Sequence, residues 1–142
     1  MSAHRARTAN PRSLASLDGK LLSAEHPQFE HACRTWNLAA KQQPAAVVAA
    51  ASVDDVVAVV ALARELGLRV APQGTGHGAA PMGSLEDTIL LKTDRLRAIQ
   101  VDPNARVVRT EAGVTWAEAV EAAGDHGLAV LAGSSPDVGV VG

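Results

Sequence analysis

One segment constrains the fold more than any other. Residues 44 to 79 read as a strand, a capped helix, a second strand and then a turn with glycine at alternate positions. Ser52-Val53-Asp54-Asp55 opens the helix: the serine can accept from an unpaired backbone amide, and two carboxylates sit at the positive end of the helix dipole. Gly67 supplies a left-handed stop, and Val53, Val56, Val57, Val60 and Ala63 form an apolar stripe suited to covering a sheet. The apolar runs on either side, Ala45 to Ala51 and Leu68 to Pro72, have the length of buried strands. Strand, helix and strand at this spacing predict a right-handed parallel unit.

The chain has 142 residues, room for one domain with a real core. Downstream, Thr88 to Leu91, Ala98 to Val101 and Arg106 to Thr110 read as strands, the last two joined through Asp102-Pro103-Asn104. Thr115-Trp116-Ala117-Glu118 is a capping box, and Trp116, Ala119, Val120 and Ala123 make the buried stripe of a helix ending near Gly127. Leu128 to Leu131 is expected to be the strand after it. Upstream, His26-Pro27 precedes Phe29, Ala32, Cys33 and Trp36, whose spacing predicts one amphipathic helix. The expected organisation is a loose arm over residues 1–16, a short helical lead-in over 17–43 and a domain over 44–142. The fold class is α+β, with small mixed sheets flanked by helices.

Composition removes several function classes. A net charge of -2 without a basic stripe, and only Phe29, Trp36 and Trp116 as aromatics, suit neither phosphate backbone nor base stacking, so no nucleic-acid partner is expected. The longest apolar run, Val56 to Ala63, falls far short of the roughly 20 residues of a membrane span, so no membrane partner is expected. Cys33 is the single cysteine, which excludes an internal disulfide and suits a reducing, cytoplasmic location. Arg5, Arg7 and Arg12 precede the first acid, Asp18, as in a transit peptide, but without its amphipathic period.

The densest chemical signal is Pro72-Gln73-Gly74-Thr75-Gly76-His77-Gly78-Ala79, at the end of a strand. Gly74, Gly76 and Ala79 satisfy G-x-G-x-x-A, with Asp94 twenty residues after Gly74, yet Pro81 and Gly83 follow where a dinucleotide-binding helix would have to start. No nucleoside-triphosphate lysine and hydroxyl pair accompanies the turn. Two readings stand on the residues alone: an ordinary glycine-rich connection with an exposed histidine, or an anion-binding turn that displays His77 to a ligand. A second glycine-rich segment, Gly133-Ser134-Ser135-Pro136-Asp137-Val138-Gly139-Val140-Val141-Gly142, is no nucleophile elbow, because Asp137 stands where glycine is required. His26, His31 and Cys33 lack a fourth ligand, so no metal is expected. His126 in the last turn of its helix suits the dipole, and Trp116 reads as a core anchor.

Taken in order, Trp36-Asn37, Pro44, the Ser52 to Gly67 helix, Gly74-Thr75-Gly76-His77-Gly78, Val101-Asp102-Pro103, Ala112-Gly113-Val114-Thr115-Trp116 and Gly133 to Gly142 form a set. That set resembles the N-terminal FAD-binding region, of the p-cresol methylhydroxylase type, in the vanillyl-alcohol oxidase superfamily. Within it the likeness is to berberine-bridge-enzyme-like FAD-linked oxidases, over about residues 17 to 142. The resemblance implies that Gln73, Gly74, Thr75, Gly76, His77, Gly78 and Ala79 wrap the FAD pyrophosphate, joined by Gly133, Ser134, Ser135, Asp137, Val138, Gly139 and Gly142. It further implies that His77 is bonded to the flavin 8α-methyl carbon. Two departures matter. Gln73 stands where the family often has arginine, so that pyrophosphate contact would rest more on backbone amides. Ser135 stands where doubly linked members have cysteine, which leaves at most one covalent bond.

The implied reaction passes hydride from a substrate C–H, in an alcohol, sugar or similar small molecule, to flavin N5, with oxygen as the electron acceptor. The chain contains no tyrosine, so it cannot supply the tyrosine base that many relatives place in a substrate domain. No catalytic residue is assigned within it. It reads as the N-terminal part of a larger flavoenzyme, incomplete at its C-terminus and inactive alone. The alternatives are a non-catalytic nucleotide-binding remnant and a noncovalent FAD-dependent dehydrogenase of 2-hydroxy acids.

Overall fold

The computed structural model describes Leu17 and residues 21–141; the arm expected over residues 1–16 lies outside the described residues. The fold is α+β. A four-stranded sheet is built from β1 (Leu21–Leu22), β2 (Ala46–Ala49), β3 (Arg69–Gln73) and β4 (Thr88–Lys92) in the order β1-β2-β4-β3. A separate hairpin pairs β5 (Ile99–Asp102) with β6 (Val107–Thr110). Among the described residues three α-helices accompany them: α1 (Phe29–Ala32), α2 (Val53–Leu66) and α3 (Trp116–Gly124). No helix among the described residues is long and apolar enough to cross a membrane.

The parallel unit read from the sequence is present, with one difference. β2 and β3 run parallel but are not neighbours; β4 enters between them and pairs with both, Val47 and Ala71 each facing Leu90. β4 is buried along Thr88–Leu91, and a strand covered on both faces reads as a continuous apolar run, as this one does. On one face Val48, Ile89 and Leu91 pack with Val59, Leu62 and Ala63 of α2 and with Leu17. On the other, Val47, Ala71 and Leu90 pack with Cys33 and Leu85, bordered by Phe29 and Ala32. β1, which periodicity did not reveal, joins the edge through Leu21 opposite Val48, antiparallel.

The caps of α2 follow from its sequence. Ser52 Oγ accepts from Asp55 N at 3.2 Å, Asp55 Oδ2 accepts from Ser52 N at 3.1 Å and from Ala51 N at 2.8 Å, and Gly67 closes the helix at φ +71. Ser52→Ala should therefore lower the unfolding free energy by about 1 kcal/mol, read as a shift in the urea midpoint with an unchanged slope. The buried stripe differs from expectation. Val59, Leu62 and Ala63 face the sheet, whereas Val53, Val57 and Val60 are exposed. Valines occupy so much of this helix that 3.6-residue spacing does not single out one face, and contact with the sheet decides.

Other boundaries also moved. α1 stops at Ala32, which leaves Trp36 exposed rather than on a helical stripe. β6 begins at Val107 because Arg106 takes φ 56, after Asp102 Oδ1 has accepted from the amides of Asn104 and Ala105. α3 ends at Gly124, and the left-handed Gly127 belongs to the turn that follows, so His126 lies past the helix. Residues Leu128 to Leu131 form no strand: no strand among the described residues pairs with them, and Leu131 is 98% exposed. Val120 is likewise exposed, so α3 buries Ala119 and Ala123.

Candidate functional site

β2, β3 and β4 are parallel, and the turn that leaves β3 lies at the end of the sheet where open α/β sheets bind their ligands. Gln73 is the last residue of β3, and its carbonyl accepts from Thr93 N at 3.0 Å, which holds the end of the ladder. After it the chain leaves the sheet. Among the described residues, the N–H groups of Gly74, Thr75, Gly76, His77 and Gly78 have no protein acceptor, and only Ala79 N closes the turn, on Gly76 O at 3.3 Å. A run of free amides on a tight turn is an anion cradle. Glycine is required at two points. A Cβ on Gly74 would lie 3.3 Å from Ala112 O; Gly76 has φ +79, and its Cβ would meet Thr35 and the Gln73 side chain at 3.3 Å. Gly78 faces open space. Ala79 is buried and leads into a short 3-10 turn, Ala80–Met82.

His77 is half-buried and held on two sides. Its ring stacks on Trp36 with centroids 4.7 Å apart and planes 22° apart, and its Nδ1 shares a hydrogen bond of 2.8 Å with Thr75 Oγ1. Among the described hydrogen bonds none involves Nε2. Thr75 Oγ1 also accepts from Gly139 N at 3.4 Å. One hydroxyl thus joins the histidine to the second glycine-rich segment.

That segment is tied to the start of α3. Trp116 N donates to Val138 O and Ala117 N to Pro136 O, each at 3.0 Å, and Val140 N donates to Val114 O at 2.8 Å. The free amides of the helix N-terminus are thereby spent on the chain itself, and Gly139 pairs with Thr115. Gly133 lies against the indole, where a Cβ would come within 2.9 Å of Trp116 Nε1. Trp116 is half-buried between this glycine and the body of the domain. Ser135 accepts from Val138 N at 3.4 Å through its carbonyl, Ser134 and Asp137 are exposed, and Gly142 lies outside the described residues.

Beneath the turn lies a polar chain that sequence reasoning missed. Lys92 Nζ donates to Gln73 Oε1 at 2.8 Å, and Gln73 Nε2 donates to Gln42 Oε1 at 2.9 Å. Burial pulls the Lys92 ammonium below its ordinary pKa, partly offset by Asp94, while burial pushes the Cys33 thiol up. The available signal was a cation closing the apolar run Thr88 to Leu91. Trp36 carried no such signal, because its partner His77 is distant in sequence and helical spacing accounted for the tryptophan equally well. His26 is engaged locally, accepting from Gln28 N at 3.2 Å through Nδ1.

Residues 44–142 match the family described as FAD binding domain, and the chain belongs to that family. It is 30% identical over 137 residues to an FAD-linked oxidoreductase of Aspergillus fumigatus, covering 94% of this chain and 29% of that protein. It is 25% identical over 127 residues to the (R)-6-hydroxynicotine oxidase of Paenarthrobacter nicotinovorans, covering 89% of this chain and 28% of that protein. A berberine-bridge-enzyme-like protein of Physcomitrella patens shares the fold, with a TM-score of 0.81 at 21% identity over 94% of this chain and 30% of that one. The chain thus spans less than a third of the length of these relatives.

Proposed function

We propose that this chain is the part of an FAD-linked oxidoreductase that grips the diphosphate of FAD and carries the flavin covalently on His77. The observation that carries the proposal is the run of unpaired amides from Gly74 to Gly78, with a clamped His77 inside it. The fit to FAD rests on this chain's own atoms: free donors for anionic oxygens, no room for side chains at Gly74 and Gly76, and open space beside Gly78. Thr75 and Trp36 restrain the imidazole, and Gly139 brings the second loop to the same hydroxyl. Bound flavin supplies a two-electron acceptor for hydride from a small substrate, with oxygen as the reoxidant. Relatives whose names state an oxidase activity, on 6-hydroxynicotine and on glucooligosaccharide, support that class of reaction.

The test measures flavin retained by the purified protein after gel filtration, and hydrogen peroxide formed with a panel of alcohols and sugars. FAD binding is expected, and Gly76→Val should abolish it by filling the turn. Residues 1–142 alone should yield no peroxide, since they carry no tyrosine base. A protein that retains no FAD overturns the cofactor reading. Steady peroxide production by residues 1–142 places the whole reaction within this chain and overturns the assignment of substrate chemistry elsewhere.

A further inference from the structure

Lys92 ends the central strand, in register with Ala49 on one side and Gln73 on the other. Its ammonium is half-buried, yet the ion pairs among the described residues join Arg69 to Asp87 and Arg97 to Glu118, and no described carboxylate lies within ion-pair distance of Lys92, Asp94 acting on it only from farther away. A half-buried cation without a direct ion-pair partner is costly and tends to mark a functional site.

Lysine can only donate, which fixes the orientation of both amides in the chain. The Gln73 carbonyl faces Lys92, its NH₂ faces the Gln42 carbonyl, and the Gln42 NH₂ is left free. Gln42 and Gln73 line a cavity of about 260 Å³ together with Gly76 and Gly78 of the turn, and no acidic side chain lines it. The Gln73 side chain also packs under Gly76, whose Cβ position is 3.3 Å from Gln73 Cδ. The ammonium therefore stands one side chain away from the unpaired amides. Backbone amides offer partial charges but no net charge, and a diphosphate bound only to them would keep its full negative charge in a partly dry site.

We propose that Lys92, relayed through Gln73 and Gln42, supplies the positive charge of the nucleotide diphosphate site formed with the Gly74 to Gly78 turn. The inference rests on the FAD reading above and adds a residue to it. It also adds a side-chain charge to the expectation that contact would rest more on backbone amides where Gln73 replaces arginine.

The probe is ADP, titrated calorimetrically into flavin-free protein, with inorganic diphosphate as competitor. Lys92→Met should weaken ADP about tenfold or more, weaken diphosphate in proportion, and flatten the salt dependence of binding. Lys92→Arg should stay within a few-fold of the parent, and Arg109→Gln, which removes an exposed charge from β6, should leave ADP binding unchanged. Urea unfolding of each variant identifies a folding defect. Unchanged ADP affinity in folded Lys92→Met overturns the proposal, as does an equal loss in Lys92→Arg or in Arg109→Gln. If the parent binds FAD while Lys92→Met binds ADP normally, only this inference falls; if the parent binds neither FAD nor ADP, the cofactor reading falls with it.

Discussion

His77→Ala is expected to make the flavin of the parent protein fully extractable. Acid precipitation strips noncovalent flavin, so the parent should give a yellow pellet and the variant a colourless one. The expected effect is all-or-none because the groups that hold the imidazole, the Trp36 indole and the unactivated Thr75 hydroxyl, are weak nucleophiles at neutral pH. Its ring is stacked on Trp36 and hydrogen-bonded through Nδ1 to Thr75, so little rotational freedom remains to be lost when a bond forms. Cys33 is buried in the cluster of Val47, Ala71 and Leu90, and burial pushes its thiol pKa up, away from the reactive thiolate. Ser135→Ala is the matched control and should leave flavin retention nearly unchanged, because an unactivated hydroxyl is a weak nucleophile at neutral pH. Trp36→Ala should slow attachment without preventing it, by freeing one face of the ring. Flavin that washes free from the unmutated protein removes the covalent assignment, and comparable loss in Ser135→Ala moves it to the wrong residue.

Much of the frame was readable from the chain because its signals are local. A serine, an aspartate three residues on and a terminal glycine define α2 without reference to anything else. The hairpin of β5 and β6 is announced by Asp102-Pro103-Asn104, where one carboxylate takes two amides. What could not be read depends on partners distant in sequence. The buried face of α2 is chosen by Ile89 and Leu91 of β4, residues that lie well past the helix. Residues Leu128 to Leu131 have strand-forming composition but no strand to pair with, and composition cannot report a missing neighbour.

The same division runs through the site. The glycine turn was legible because glycine at alternate positions has few other uses. The contact between the two glycine-rich segments, through Thr75 and Gly139, is one that spacing could not specify. Lys92 was passed over because a charge at the end of an apolar strand usually reaches solvent. Here it turns inward, and only the pairing of β3 with β4 places it beside Gln73.

Gly113→Ala should destabilise the fold by about 3 kcal/mol or more, a large part of the stability of a small domain. Gly113 is where the segment entering α3 crosses the end of β4, and a Cβ there would lie 2.3 Å from Thr93 O and 2.7 Å from Leu96 O. Both obstacles are backbone, so no side-chain rotation relieves the clash, and the close-packed interior transmits the displacement. The same movement would stretch the 2.8 Å bond from Gly113 N to Leu96 O, adding the desolvation of a buried amide. It would also disturb Ala112 O, which accepts from Thr93 Oγ1 at 3.3 Å and borders Gly74, so strain at this crossing reaches the Gly74 to Gly78 turn. Gly124→Ala makes the same chemical change at the end of α3 with no atom within 4 Å of the new methyl. It should stabilise by roughly 0.4–1 kcal/mol through the unfolded chain. Urea unfolding of the two variants beside the parent should give shifts of opposite sign. A Gly113→Ala protein that unfolds within 1 kcal/mol of the parent would show that the two backbones do not approach each other as closely as the fold requires.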